Sequence, residues 1–221
     1  MKNIRLPEVR TKILIDRFNW QQMTTSAQQD VHEFVRRLIE ELNKYLEGTE
    51  YANVLSELFA GQTKTTTNCK GIESTHYDVF WDLSLPVHKI DDIQKAIKSY
   101  LNPGEIENYS FNGNFYKATQ KRDFTALPSV LCVNLLRFRF DVESQQITKN
   151  NGKFKFGVKL DLSEYIPGSS YTLHSVLGTM NAGHYTVFTN PKCDSSWYKF
   201  DDEVVTKCLE SAAIEKNFGN R

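Results

Sequence analysis

Cysteine is sparse and unpaired in this chain of 221 residues. Cys69, Cys132, Cys193 and Cys208 stand far apart, and no CxxC occurs. A tetrahedral structural zinc site needs four ligands, so no metal and no cofactor is expected. No run approaches roughly 20 apolar residues, so no helical membrane span is expected. Net charge is also lacking, because Lys plus Arg and Asp plus Glu both number 27. With no global field, neither nucleic acid nor a membrane is an expected partner, and charge-based recognition falls to local patches. No charged-then-apolar leader opens the stretch from Met1 to Lys12, and the thiols read as free in a reducing compartment, which points to an intracellular protein. Internal repeats, low-complexity tracts and long linkers are absent too.

Present instead is an ordinary globular balance of 40% hydrophobic and 24% charged residues, at a length that can bury a core without disulfides. Ser26 and Gln29 form a capping box for a helix over residues 26–47, stopped by Gly48. Its stripe is Val31, Phe34, Val35, Leu38, Ile39, Leu42, Tyr45 and Leu46, with Asp30, Glu33 and Arg37 along the edge. A short helix over residues 53–59 ends near Gly61. The period then changes from 3.6 to 2. Thr63, Thr65 and Thr67 alternate, a turn falls at Lys70-Gly71, and Tyr77, Val79, Trp81, Leu83 and Leu85 alternate as one strand. Asp91 caps a helix carrying Ile93, Ala96, Ile97 and Tyr100, stopped by Asn102-Pro103-Gly104. Residues 130–140 read as a central strand, apolar on both faces. Strands over 154–162, 171–177, 184–189 and 197–200 follow, then a helix over 209–218 capped by Gly219. Helices first and an antiparallel sheet afterwards predict an α+β fold.

The chemistry concentrates near the C-terminus. His184 opens the strand His-Tyr-Thr-Val-Phe, and an imidazole titrating near neutrality can serve as acid or base. A histidine at a strand end is more often a plain surface residue. Asp201, however, lies on the following strand, where an antiparallel pairing could bring its carboxylate to the ring. The competing reading makes Asp201, Asp202 and Glu203 a solvated turn, and spacing alone does not decide between the two.

These residues carry a resemblance. Gln28-Gln29-Asp30-Val31-His32-Glu33-Phe34 resembles the QQD-x-x-EF signature of the ubiquitin-specific proteases, and Leu58-Phe59-Ala60-Gly61 their LF-x-G turn. Leu127-Pro128 with Leu135-Leu136-Arg137-Phe138 is similar to their LP…L-x-RF strand. Gly183-His184-Tyr185 and Trp197-Tyr198-Lys199-Phe200-Asp201-Asp202 resemble the histidine box and the triad-acid strand. Five motifs in order cover nearly the whole chain. Asn190-Pro191-Lys192, Asp201-Asp202-Glu203-Val204-Val205 and Ala213-Ile214-Glu215 are most similar to the herpesvirus-associated member of that family.

The resemblance implies a papain-like hand, with residues 1–61 as part of the thumb, 62–125 mainly as fingers and 126–221 as palm. It implies thiol-dependent hydrolysis of the (iso)peptide bond after the C-terminal glycine of ubiquitin, with His184 as base and Asp201 as its orienting acid. Asp30 and Glu33 would face the arginines of the ubiquitin tail, although Asp30 also suits the positive end of a helix dipole. Phe138 and Tyr185 would line the channel for that tail, where a core role is the plainer alternative. Partners would be ubiquitin and ubiquitinated proteins, in the nucleus or cytoplasm as for many relatives.

Two departures matter. The family nucleophile lies in a G-x-x-N-x-G-N-T-C box well upstream of QQD, whereas only 27 residues precede Gln28 here and none is cysteine. The chain therefore reads as N-terminally truncated, without the oxyanion donors of that box and inactive by itself. Cys132 reads as a core thiol. Cys69 lies at a hairpin tip, Cys193 in a turn remote from His184, and Cys208 before the last helix. The second departure is at Val176-Leu177-Gly178, where the loop before His184 is about three residues shorter than in relatives, with Ala182 in place of a usual glycine. The expectations are a deubiquitinase part, a catalytically dead ubiquitin- or partner-binding pseudoprotease, or a degenerate copy.

Overall fold

The computed structural model describes residues 31–141, 145–179 and 184–219. The chain divides into two compact units, Met1–Leu38 and Ile39–Arg221. The capping box at Ser26 and Gln29, the carboxylate of Asp30 and the substitution at Ala182 lie outside the described residues. Helix α1 (Val31–Leu46) carries the ion pairs Glu33–Arg37 (2.7 Å) and Glu41–Lys44 (2.6 Å), and Gly48 follows it with φ +76°, as a helix stop requires. No residue of α1 is fully buried, and Val35, Leu42 and Tyr45 are exposed.

After α2 (Val54–Phe59), strands β1 (Gly61–Cys69) and β2 (Ile72–Phe80) form a hairpin around Lys70-Gly71. The sheet continues with β4 (Gly104–Phe111) and β5 (Asn114–Ala126), in the antiparallel order β2-β1-β5-β4. β1 alternates strictly, burying Gly61, Thr63, Thr65, Thr67 and Cys69. Gly61 is opposite Phe80, and a Cβ there would stand 2.2 Å from the Phe80 ring. The absence of a side chain lets the aromatic ring lie on the backbone.

The predicted strand through Leu85 breaks at Trp81-Asp82. Leu83 and Leu85 belong to a separate strand, β3 (Leu83–Pro86), paired in parallel with β6 (Val133–Leu136). The bend takes both leucines out of the first sheet to complete burial, worth roughly 1.5–3 kcal/mol per side chain. They meet Ala96, Ile97 and Leu101 of helix α3 (Ile93–Leu101), together with Phe124, Phe154 and Leu162. Phe124 of β5 touches the rings of Phe80, Tyr100 and Tyr165, so the four-stranded sheet is anchored in this core. The cap of α3 is Asp92 rather than Asp91. The Asp92 carboxylate accepts from the N–H groups of Gln94 and Lys95, while Asp91 pairs with Lys95 Nζ at 2.7 Å.

The predicted central strand over 130–140 is also divided. Arg137 N–H donates to Leu135 O at 2.7 Å, a tight turn that ends β6 and starts β7 (Phe138–Asp141), which pairs with β8 (Gln146–Lys149). The Arg137 guanidinium donates to the carbonyls of Asn150, Gly152 and Phe218. Those three acceptors fix the turn and leave Leu136, Phe138 and Phe140 exposed. The expected strand over 154–162 reduces to a bridge at Lys155 and β9 (Lys159–Asp161), which pairs with β10 (Ser170–Thr172).

The last sheet has antiparallel order β11-β12-β13-β14, made of Ser175–Thr179, Tyr185–Thr189, Trp197–Asp201 and Val204–Cys208. Phe188 and Trp197 pack from it onto Ala213, Ile214 and Phe218. The predicted final helix is a single turn, α4 (Glu210–Ala213), then a 3-10 turn, Glu215–Asn217. Gly219 with φ +98° ends it as expected. The class is α+β with mainly antiparallel sheets, as the order of elements predicted.

Candidate active site

The hairpin β12–β13–β14 builds the site. Val187 pairs with Phe200 and Phe188 with Lys199. Continuing that register places Asp201 level with Thr186, so His184 lies two positions further along the same face. The side chains meet diagonally, with His184 Nε2 at 2.6 Å from Asp201 Oδ1. Asp201 ends β13, and Asp202 takes φ +52° to turn the chain into β14. Asp tolerates that left-handed conformation better than most residues.

A carboxylate only accepts, so His184 donates Nε2–H to Asp201 and keeps the lone pair on Nδ1. The side chain of His184 is 42% exposed, so this lone pair suits a proton acceptor. The hydrogen bond to Asp201 raises the imidazole pKa above its ordinary value. Partial burial opposes the rise, the charges of Asp202 and Asp201 add to it, and Lys199 counteracts it. The Asp201 carboxyl is held below its usual range first by the hydrogen bond from Lys199 and then by that from His184. Lys199 Nζ stands 2.5 Å from Asp201 Oδ2. The sequence reading did not single out Lys199. Its signal is the spacing Lys-Phe-Asp in a strand, which puts Lys199 and Asp201 on one face.

Ligand atoms of His184, Asp201 and Asp202 lie within 4.8 Å of one another. The ammonium of Lys199 already supplies a cation to this group, and a metal ion beside it would meet like-charge repulsion.

All four thiols are free and lie among the described residues. Cys208 pairs with Trp197, four positions down β13 from Asp201 and about 13 Å away along the strand. Cys193 follows the far end of β12, about 17 Å along that strand from His184. Burial pushes the Cys208 thiol up, against the pull of Lys199, and raises the Cys132 thiol with help from Asp82. Cys69 is buried at the end of β1, its sulfur 3.9 Å from Lys117 O. Cys193 and Cys208 are out of reach of His184 along the sheet, and burial disfavours the thiolate at Cys208 and Cys132.

Of the other predicted site residues, Glu33 is exposed on α1 and paired with Arg37. Phe138 is exposed on β7, beneath Lys149 Nζ at 5.6 Å from the ring centre. Tyr185 is half-buried at the start of β12, and alternation puts it on the face opposite Asp201. Sequence reasoning missed β4, β5, β8 and β14. The dipeptide Asn112-Gly113, with φ of +50° and +77°, is a strong hairpin signal that would have found the first two.

The sequence profile described as "Ubiquitin carboxyl-terminal hydrolase" matches residues 1–219. Among curated proteins, the chain is similar to "Ubiquitin carboxyl-terminal hydrolase 7" of Drosophila melanogaster, 34% identical over 225 residues, covering 96% of this chain and 20% of that protein. It is 31% identical to "Ubiquitin carboxyl-terminal hydrolase 15" of Schizosaccharomyces pombe, over 96% of this chain and 20% of the relative. It is 32% identical to "Ubiquitin C-terminal hydrolase 12" of Arabidopsis thaliana, over 96% and 21%. The chain thus spans about a fifth of the length of these relatives. Among solved structures it resembles a chain of the SAGA DUB module of Ubp8, Sgf11, Sus1 and Sgf73 bound to monoubiquitin. That match has a TM-score of 0.76 and 23% identity, over 90% of this chain and 49% of that one. At that identity the likeness speaks for the fold, and the profile speaks for the lineage: the chain belongs to the ubiquitin carboxyl-terminal hydrolase family.

Proposed function

We propose that this chain is the histidine–acid part of a cysteine-type deubiquitinase. The observation that carries the reading is the 2.6 Å bond between His184 Nε2 and Asp201 Oδ1. It leaves Nδ1 as a base whose tautomer the carboxylate fixes. His184 takes the proton of a cysteine thiol, and the thiolate attacks the carbonyl carbon of the C-terminal glycine of ubiquitin. The (iso)peptide C–N bond breaks as the imidazolium gives its proton to the leaving amine. Water, deprotonated by His184, then hydrolyses the acyl-thioester.

The thiolate comes from outside this sequence: Cys193 and Cys208 are about 17 Å and about 13 Å along their strands from the pair, Cys69 is buried at the end of β1 and burial raises the Cys132 thiol, so residues 1–221 alone do not turn over. Asp30 and Glu33 engage the arginines of the ubiquitin tail, with Glu33 exchanging its surface partner Arg37 for them. Phe138 and Tyr185 flank the tail. Residues 1–61 form part of a thumb, 62–125 mainly fingers and 126–221 a palm. Support for this division is the four-stranded sheet spanning 61–126 and the β11–β14 sheet that carries the site. The motifs around Asn190, Asp201 and Ala213 support a place beside the herpesvirus-associated member. Free thiols support work inside the cell, in nucleus or cytoplasm.

The distance of Cys193 and Cys208 from the His184–Asp201 pair along their strands favours a second reading, a ubiquitin- or partner-binding pseudoprotease. One experiment separates them: purify the endogenous protein, read its mass and N-terminus, and treat it with ubiquitin bearing a C-terminal electrophile. Labelling at a cysteine outside this sequence, lost in His184→Ala, supports the deubiquitinase. A mass equal to this chain, binding of monoubiquitin and no labelling support the pseudoprotease. Neither labelling nor binding sinks both.

A further inference from the structure

We propose that Lys199 is a positioning residue for the His184–Asp201 pair, holding the Asp201 carboxylate in the one orientation that presents Oδ1 to His184. This rests on the reading of His184 as the base. Asp201 is engaged at both oxygens, Oδ1 by His184 Nε2 at 2.6 Å and Oδ2 by Lys199 Nζ at 2.5 Å. Each bond is charge-assisted. A carboxylate held at one oxygen can swing about its last torsion, which is a soft, two-fold rotor. Held at both, it cannot rotate without losing one of them. The backbone enforces this arrangement, because residues i and i+2 of a strand share a face and both belong to β13. The opposite partner of Lys199 on β14 is Thr206 and on β12 is Phe188, neither of which offers a competing charge.

Lys199 is only 29% exposed, so its ammonium is screened less than a surface lysine. It therefore does two things. It keeps Asp201 ionised, and it moderates the pull that Asp201 and Asp202 exert on the His184 proton. A base drawn too high stays protonated at neutral pH and cannot accept a proton. Among the described residues, the charged and titratable groups facing the pair are Asp201, Asp202 and Lys199, with Cys208 in the field of Lys199 from β14.

The test is an NMR pH titration of the His184 ring in the 221-residue chain, read for which ring nitrogen carries the proton once the ring is neutral. Wild type is expected to hold the proton on Nε2, Lys199→Met and Lys199→Gln to lose that preference, and Lys199→Arg to keep it. A folded neutral variant that holds the Nε2 proton as firmly as wild type overturns the proposal. The wild-type chain supplies a second readout that needs no substitution. The Lys199 ammonium signal must change at the pH where Asp201 takes up its proton, and indifference to that event overturns the proposal as well. Failure of the deubiquitinase reading would show instead in the electrophilic-ubiquitin experiment, which these titrations do not touch.

Discussion

His184 and Asp201 are 17 positions apart in sequence and meet at 2.6 Å across neighbouring strands. The contact depends on the β12–β13 register, since a slip of one residue would move Asp201 to the opposite face of the sheet. The pair is at the solvent edge, so its energetic weight is small and its chemical weight lies in the tautomer it selects.

Stability should carry a pH signature of this pair. The raised pKa of His184 means that the folded state binds its proton more tightly. That contribution is complete below the ordinary imidazole value of about 6.5 and fades as pH rises through the raised folded value. The lowered pKa of Asp201 acts oppositely, contributing above its ordinary value of about 3.9 and fading as pH falls through the lowered one. The windows overlap from about pH 4 to about pH 6.5. The gap in melting temperature between wild type and Asp201→Asn should be widest there and narrow on either side. A gap that is flat with pH would deny the pair.

In the proposed deubiquitinase, His184→Ala should lower kcat by about 10²–10⁴-fold, the usual contribution of a general acid–base residue. Asp201→Asn should lower it in the same direction, because an amide can offer either a donor or an acceptor and no longer fixes the tautomer. Steady-state hydrolysis of a ubiquitin fluorogenic amide measures both. Unchanged rates for His184→Ala would remove the mechanism.

Gly61→Ala should destabilise the chain by about 1–3 kcal/mol in chemical denaturation, since the new Cβ would stand 2.2 Å from the Phe80 ring. Phe80→Leu in the same chain should recover part of the loss. A double-mutant cycle with no coupling would show that the ring does not need the open backbone.

Trp197 is fully buried, and its Nε1–H has no hydrogen-bond partner among the described residues. Trp197→Ala should cost about 3–5 kcal/mol. Trp197→Phe keeps most of the volume and removes the unsatisfied donor, so its cost should stay below about 1.5 kcal/mol. Equal losses for the two would mean that the indole N–H is satisfied in solution.

Arg137→Met should cost about 2–3 kcal/mol by stranding the carbonyls of Asn150, Gly152 and Phe218 that one guanidinium now serves. Arg137→Lys should recover little, because an ammonium on a flexible stem does not reproduce the planar fork. Full recovery by lysine would make the charge, not the geometry, the relevant quantity.

Much of the fold was legible locally. The threonine alternation gave β1, and the β12 and β13 strands fell where the β-branched and aromatic runs predicted. Two of the failures share a cause. Residues 77–85 alternate and residues 130–140 are rich in β-formers throughout, so nothing local marks Trp81-Asp82 or Arg137 as a break. Leu83 leaves its first sheet because the core under α3 buries it completely, and Arg137 turns because three distant carbonyls need a donor. The one-residue error at the α3 cap is of another kind. Asp91 and Asp92 are equivalent as residue types, and only the backbone conformation at Asp92, φ −152° and ψ 141°, selects which of them caps.

By itself the sequence determined the α+β class, the family motifs and the choice of His184 and Asp201 as a candidate pair, because composition, period and residue type are properties of short stretches. Tertiary structure decided the rest. Pairing register put His184 Nε2 against Asp201 Oδ1, alternation within β13 brought Lys199 to the other oxygen, and the distances along β12 and β13 kept Cys193 and Cys208 away from the base. Each depends on how strands align across space, which residue type alone does not encode.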